Sequence, residues 1–450
     1  MKHRLQSFSA AQIIISAYVV AIVLFTSILL MPISIKPGQG LSIIDAIFVA
    51  TSAVSITGLS PVSTVETFTM FGQCMLLLAF QFGGIGIMTL GTLLWLILGQ
   101  NISLSQRRLL MLDQNQNHLA GLVRLLLIIV KMVLLFEAGG TLIFGLYFKF
   151  TGYYEGWLEA FYYAMFHSLS SFTNAGFDIF GDSLVGFADD YFVQIITMLL
   201  IISGSVGFPV LIELREYLFG KTPHFRFSLF TKITSITFFS LLVAGALGFW
   251  LMERQLFMEG KSWHAQLFYS FFSSVTSRSG GMTTLDMADL GTGTQFFTSI
   301  LMFIGGSPSS AGGGIRTTTF AVIILTLISV ARSRKEVMVF KRTLKHEDVL
   351  KSFFVFAIAC ILCVGSVLIL DITEVQSFPL SAILFEVMSA FGTCGLSIGL
   401  SSQLSDAGKP VLIVLMFIGR IGLLTLLYMF RNEKQRQPKI RYPEEKIIIG

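Results

Sequence analysis

The 450-residue chain is 54% hydrophobic and only 13% charged, with a mean hydropathy of +0.77. Soluble domains carry about 25% charged residues, so most of this surface is expected to face lipid, and a soluble multidomain protein is excluded. The formal charge of +5 is modest and its basic residues lack aromatic interleaving, which argues against nucleic-acid binding.

In chain order, the apolar run from Ala10 to Met31 follows Lys2, His3 and Arg4. It is too long for a signal-peptide core and no small-residue cleavage site follows, so it is expected to remain as a first membrane helix. Comparable runs at 69–98, 121–149, 190–213, 227–252, 294–331, 350–372 and 408–430 exceed the ~20 residues needed to cross a bilayer, which predicts eight spanning helices. Segments 42–55, 157–172, 263–276 and 379–391 are apolar but too short to cross. They read as re-entrant segments, tolerated at membrane depth only where protein or a water-filled cavity surrounds them. Most of the 31 Lys and Arg fall where both termini inside would make them cytoplasmic, against Lys36, Lys149, Arg254, Lys261 and Lys409 outside. The short segments then enter from the external face.

Helix, re-entrant segment and helix thus recur four times, over 1–110, 111–224, 225–346 and 347–450. The expected fold is an all-α membrane protein of four helix–pore-loop–helix repeats around one pseudo-fourfold pore. Each short segment ends in a glycine and an apolar residue: Gly58-Leu59, Gly176-Phe177, Gly281-Met282 and Gly395-Leu396, spaced by 118, 105 and 114 residues. Ten residues before each glycine stands a phenylalanine, Phe48, Phe166, Phe271 or Phe385. A helix entering from outside points its negative C-terminal end at the bilayer centre. Four such ends, each followed by a glycine free to turn carbonyls inward, favour a dehydrated monovalent cation, here K+. Asp178 and Asp286 lie past their glycines, towards the mouth, so no carboxylate ring is expected in the loops.

With those loops, and with the run FIGGSPSSAGGGIRTTT at 303–319, the whole chain resembles the Trk/Ktr/HKT superfamily of potassium transporters, most closely the Ktr (KtrB/KtrD-like) membrane subunits. The resemblance implies K+ uptake, often Na+-dependent, by a homodimer docked on a cytoplasmic octameric ring of RCK-type (KtrA/KtrC-like) subunits. Nucleotide would then act only through that partner, with K+ as substrate, Na+ as an activator and no bound cofactor. It also implies filter residues Ile56-Thr57-Gly58, Asn174-Ala175-Gly176, Ser279-Gly280-Gly281 and Thr393-Cys394-Gly395. A serine at the first glycine accompanies Na+ preference in HKT relatives, and Gly58 argues against that here. Gly280 and Met282 replace the more usual alanine and aromatic, and the extra glycine is expected to loosen the third loop. A Na+-permeable transporter of the same superfamily and a coupled secondary transporter are the alternatives. Inverted repeats are expected of the latter, whereas these run parallel.

Glycine clusters at 83–86, 204–207 and 419–422 are expected to serve close helix packing. The run 305–314 differs, since its five glycines (Gly305, Gly306, Gly312, Gly313, Gly314), three serines and a proline cannot continue a helix. A mobile plug below the filter is expected there, and the resemblance assigns it as the gate. Its sequence is no phosphate-binding P-loop, because no lysine follows Gly314. Charges at membrane depth are costly and point to function. Arg278 is expected to brace the third loop or else to repel excess cations, while Arg316 and, by the resemblance above all, Arg420 are expected to pin the gate through its backbone carbonyls, with Glu137 and Glu386 as candidate partners. Lys131 reads as a snorkelling side chain, His167 as a packed histidine and Cys360-x-x-Cys363 as apolar packing. Nothing resembles an intramembrane enzyme: there is no HExxH, no paired membrane aspartate and no Ser–His pair in matching helices. The location expected is the cell membrane. Basic residues at 332–345 and 431–446 are expected to meet anionic membrane lipids or, by the resemblance, the RCK ring.

Overall fold

A computed structural model of the chain describes residues 10–97, 109, 111, 122–220, 225–334, 336–374 and 378–430. Lys2, His3, Arg4, Lys335, the basic tail at 431–446 and the expected boundary residues 110 and 224 lie outside these. Helices dominate, in the order long, short and two-part. They run α1 (Ala10–Leu29), α2 (Ile43–Ser55), α3 (Met70–Ile85) with α4 (Ile87–Ile97), then α5 (Leu122–Phe150), α6 (Trp157–Thr173), α7 (Tyr191–Ser205) with α8 (Phe208–Phe219). After these come α9 (Leu229–Glu253), α10 (Trp263–Thr276), α11 (Thr292–Phe303) with α12 (Thr317–Ala331), then α13 (His346–Thr373), α14 (Leu380–Gly392), α15 (Lys409–Ile421) with α16 (Leu423–Phe430). By length and apolarity α1, α9 and α13 can each cross a membrane, and α3–α4 and α7–α8 qualify as bent spans. Their outward faces carry exposed Val20, Leu199, Leu247 and Ile361, the surface a multi-pass membrane protein presents to lipid.

The eight expected spans are not eight single helices, because every second helix is interrupted, the third within 305–314 as its composition requires and the other three where a continuous helix was expected. The chain turns by 100° between α3 and α4 and by 107° between α7 and α8. The breaks sit at Gly86, Gly207 and Gly422, with φ of +97°, +95° and +87°, a region that side chains on L-residues disfavour. Packing alone, as expected of these clusters, describes only their earlier members. A Cβ on Gly83, Gly204 or Gly419 would collide with the carbonyl of Val54, Phe172 or Phe391, so these glycines let α3, α7 and α15 press onto short-helix ends.

The short helices form chiefly because their flanks are packed, and α2 alone among the four has a side-chain cap. Ser42 accepts the Asp45 N–H at 3.1 Å at the head of α2, where the Asp45 carboxylate also suits the helix dipole. Each two-part helix packs on the next short one: α3 on α6, α7 on α10, α11 on α14, and α15 back on α2. Phe48, Phe166 and Phe385 are fully buried. In the third helix Phe271 is partly exposed, and its neighbour Phe272 is buried instead. One departure from an all-helical chain is a small hairpin pairing Met338–Val339 with Arg342–Thr343. Its turn residues Phe340 and Lys341 both have positive φ, without the Asn-Gly signature that would have announced them.

Candidate functional site

The ends of the short helices converge. Ile56, Asn174, Ser279 and Thr393 all adopt positive φ, between +46° and +73°. Glycine usually takes such a helix-terminating position, and a β-branched residue there is strained. Two residues on, Gly58, Gly176, Gly281 and Gly395 have φ of +93°, +71°, +74° and +92°. These four face one another. A methyl built on Gly58 would stand 2.8 Å from the Gly176 Cα, and one on Gly281 would stand 2.7 Å from that same atom and 3.4 Å from the Gly395 Cα. The ring closes because a methyl on Gly395 would stand 3.2 Å from the Gly58 Cα. Carbonyl oxygens of Thr57, Ala175 and Cys394 lie at this ring, each within contact of a facing glycine.

A hydroxyl in the last turn of each short helix holds the strand that follows. Gly58 N–H donates to Ser52 Oγ (3.0 Å) and Gly395 N–H to Ser389 Oγ (3.1 Å). In the other two, Ser170 Oγ donates to the Phe177 carbonyl (2.6 Å) and Thr276 Oγ1 to that of Met282 (2.5 Å). Thr276 is one residue nearer its glycine than the three serines are to theirs, the same offset that replaces Phe271 by Phe272. Gly280, expected to loosen this loop, is tightly held. Its N–H donates to the Thr276 carbonyl at 2.7 Å, and a Cβ there would stand 2.9 Å from the Thr276 Cα.

Below the ring lies the segment 304–316. A Cβ on Gly312 would stand 2.8 Å from Ser279 Oγ, and one on Gly313 would stand 2.5 Å from Thr393 Oγ1. Neighbouring helix breaks satisfy the loop's backbone. Ser307 N–H donates to the Ser205 carbonyl (3.0 Å), Ala311 N–H to that of Gly204 (3.1 Å), and Phe208 N–H to that of Ser309 (2.9 Å). Arg316 donates to the carbonyls of Gly312 and Ser307, and Arg420 bridges those of Ala311 and Gly83. Arg278, fully buried, sends Nη2 to the Gly305 carbonyl at 2.9 Å and lies 5.7 Å from the Phe238 ring.

The arginines thus hold carbonyls, and the expected acidic partners are corrected. Glu137 accepts from Gln81 Nε2 at 2.7 Å, while Glu386 accepts from Ser397 Oγ and from the Ser401 N–H. Peptide dipoles replace carboxylates as counter-charges, which leaves the surroundings of the loop positive, in contrast to the ring. His167 is packed as expected, with Nε2 2.8 Å from Thr197 Oγ1 and its ring edge-on to Phe144. Lys131 is exposed, and Cys360 and Cys363 are unbonded thiols. Cavities flank the assembly. One of ≈ 250 Å³ touches Gly58, Gly176 and Asp178. Another of ≈ 150 Å³ beside the loop is lined by Tyr18, Gly86, Phe208, Arg316 and Gly422. Half-helix N-termini border that second cavity, so α4, α8 and α16 add positive ends to the guanidinium. From sequence, only the negative ends at the ring were expected.

Known proteins share this architecture. The family described as TrkH, cation transport protein, matches residues 2–440. The chain is 49% identical to the Ktr system potassium uptake protein D of Bacillus subtilis, covering 99% of this chain and 98% of the relative. It is 36% identical to the Ktr system potassium uptake protein B of the same organism, covering 98% and 97%. Among solved structures it is similar to the potassium transporter TrkH of Vibrio parahaemolyticus, with a TM-score of 0.73, 20% identity, and coverage of 96% and 86%. The chain belongs to the TrkH family of cation transport proteins, whose members are ion transporters and not enzymes.

Proposed function

We propose that the chain carries K+ into the cell through one pore, built by repeats 1–110, 111–224, 225–346 and 347–450 around a pseudo-fourfold axis. The filter is formed by Ile56-Thr57-Gly58, Asn174-Ala175-Gly176, Ser279-Gly280-Gly281 and Thr393-Cys394-Gly395. One observation carries this reading: four positive-φ glycines face each other at the C-terminal ends of four short helices. With no side chain in the way, carbonyl oxygens replace an ion's water, and the helix ends make the site negative. Membrane potential then drives uptake with ~2.3 kcal/mol per charge per 100 mV.

The loop 305–314 is the gate. It lies against the filter strands, and the arginines and half-helix N-termini beneath it oppose a cation until it moves. Both termini are cytoplasmic, and a homodimer sits on an RCK-type ring through which nucleotide acts, with Na+ as activator. The relatives' names, each that of one protein of a Ktr system, support a further component. Uptake by transport-deficient cells tests the filter. Gly58→Ser places a Cβ 2.7 Å from the Ala175 oxygen and is expected to weaken K+ affinity and K+ over Na+ preference by tenfold or more. Unchanged affinity and preference in a normally inserted variant would sink the filter assignment.

A further inference from the structure

Arg278 belongs to two structures at once. Its backbone is part of the third filter strand, three residues before Gly281, while its side chain reaches the first residue of the loop, Gly305 (2.9 Å). The guanidinium is 0% exposed, and its Nε and Nη1 have no hydrogen-bond partner among the described residues. The Arg278 carbonyl lies 3.1 Å from Ser205 Oγ, sharing that hydroxyl's single proton with the Ile201 carbonyl at 2.8 Å. That hydroxyl also meets the Asn174 amide of the second strand at 2.6 Å. Ser205 returns to the loop, its carbonyl accepting the Ser307 N–H at 3.0 Å. The result is a closed circuit of filter strand, buried guanidinium, loop and helix break.

A buried charge with one carbonyl partner cannot lose that partner cheaply. When Gly305 moves, Arg278 either follows and drags the third strand, or stays unpaired beside the filter. Each outcome changes the filter when the loop moves. Resting on the proposed filter and gate, we propose that Arg278 is a positioning residue coupling them, so that K+ over Na+ preference depends on the state of the loop. Such coupling is reciprocal, and the cation species in the filter then biases the loop.

Four chains in reconstituted vesicles test this: the parent, a chain shortened within 305–314, Arg278→Gln, and the two changes combined. Each is first checked for monodisperse folding, and K+ and Na+ fluxes are then measured. Shortening is expected to change K+ over Na+ preference about fivefold when Arg278 is present and less than twofold when it is glutamine. An equal change in both backgrounds, or none in either, overturns the coupling. Should Arg278→Gln fail to fold, Ser205→Ala opens the same circuit and is expected to halve the effect of shortening. Retention of the full effect counts against the proposal. Failure of the underlying transport reading looks different, since the parent then shows no K+-selective flux at all.

Discussion

The second helices break in two ways. At Gly86, Gly207 and Gly422 one residue of positive φ turns the chain, and a helix resumes at once. In the third unit, the segment 304–316 lies between α11 and α12. The single-residue breaks free carbonyls and amides that helices leave unsatisfied at their ends. The loop takes them up, through Ser205, Gly204 and Phe208 from one break and Gly419 from another. A plug of polar backbone at membrane depth is stable only because the neighbouring helices are broken to receive it. Breaks and loop are one network, and changes at the two should differ in kind.

Removing the loop should have the largest effect. Shortening 305–314 is expected to raise K+ flux at least tenfold in vesicles, and unchanged kinetics would end the gate assignment. Next comes Arg420→Ala, which takes the donor from both Ala311 and Gly83. Each carbonyl left unsatisfied costs about 1–3 kcal/mol, so flux should rise severalfold while the melting temperature falls. A stable variant with parental flux would mean that Arg420 does not restrain the loop.

Smaller still, the breaks can be compared with each other. Gly207→Ala places a Cβ 2.7 Å from the Pro308 carbonyl, so backbone strain and loop displacement combine. Gly422→Ala meets nothing within 4 Å and carries only the strain of a backbone conformation open almost solely to glycine, about 1–3 kcal/mol. Flux should change for Gly207→Ala and remain parental for Gly422→Ala, with thermal stability lowered in both. Equal flux changes would show that the breaks act without the loop.

Sequence made the ring of glycines legible because Gly58, Gly176, Gly281 and Gly395 repeat in register on short apolar segments. The loop was legible because no helix tolerates so much Gly, Ser and Pro. Gly86, Gly207 and Gly422 were hidden among glycines that do serve packing, such as Gly83 and Gly204. Their register held a signal, since they follow their filter glycines by 28, 31 and 27 residues, the distance at which 305–314 follows Gly281. Phe271 misled because the third helix ends one residue out of step. That Arg316 and Arg420 meet carbonyls of the loop was expected, but which carbonyls they and Arg278 meet was illegible for a general reason: any residue supplies one.

The most direct test is ion flux through the purified chain alone in vesicles, with K+ or Na+ as the only permeant cation and an imposed negative interior. A ring of glycines and carbonyls at four helix C-termini predicts an inward K+ current that exceeds that of Na+, with no co-transported solute required and Na+ acting only to raise it. Equal K+ and Na+ currents, or flux only when an anionic or organic solute is supplied, would contradict a K+-selective pore.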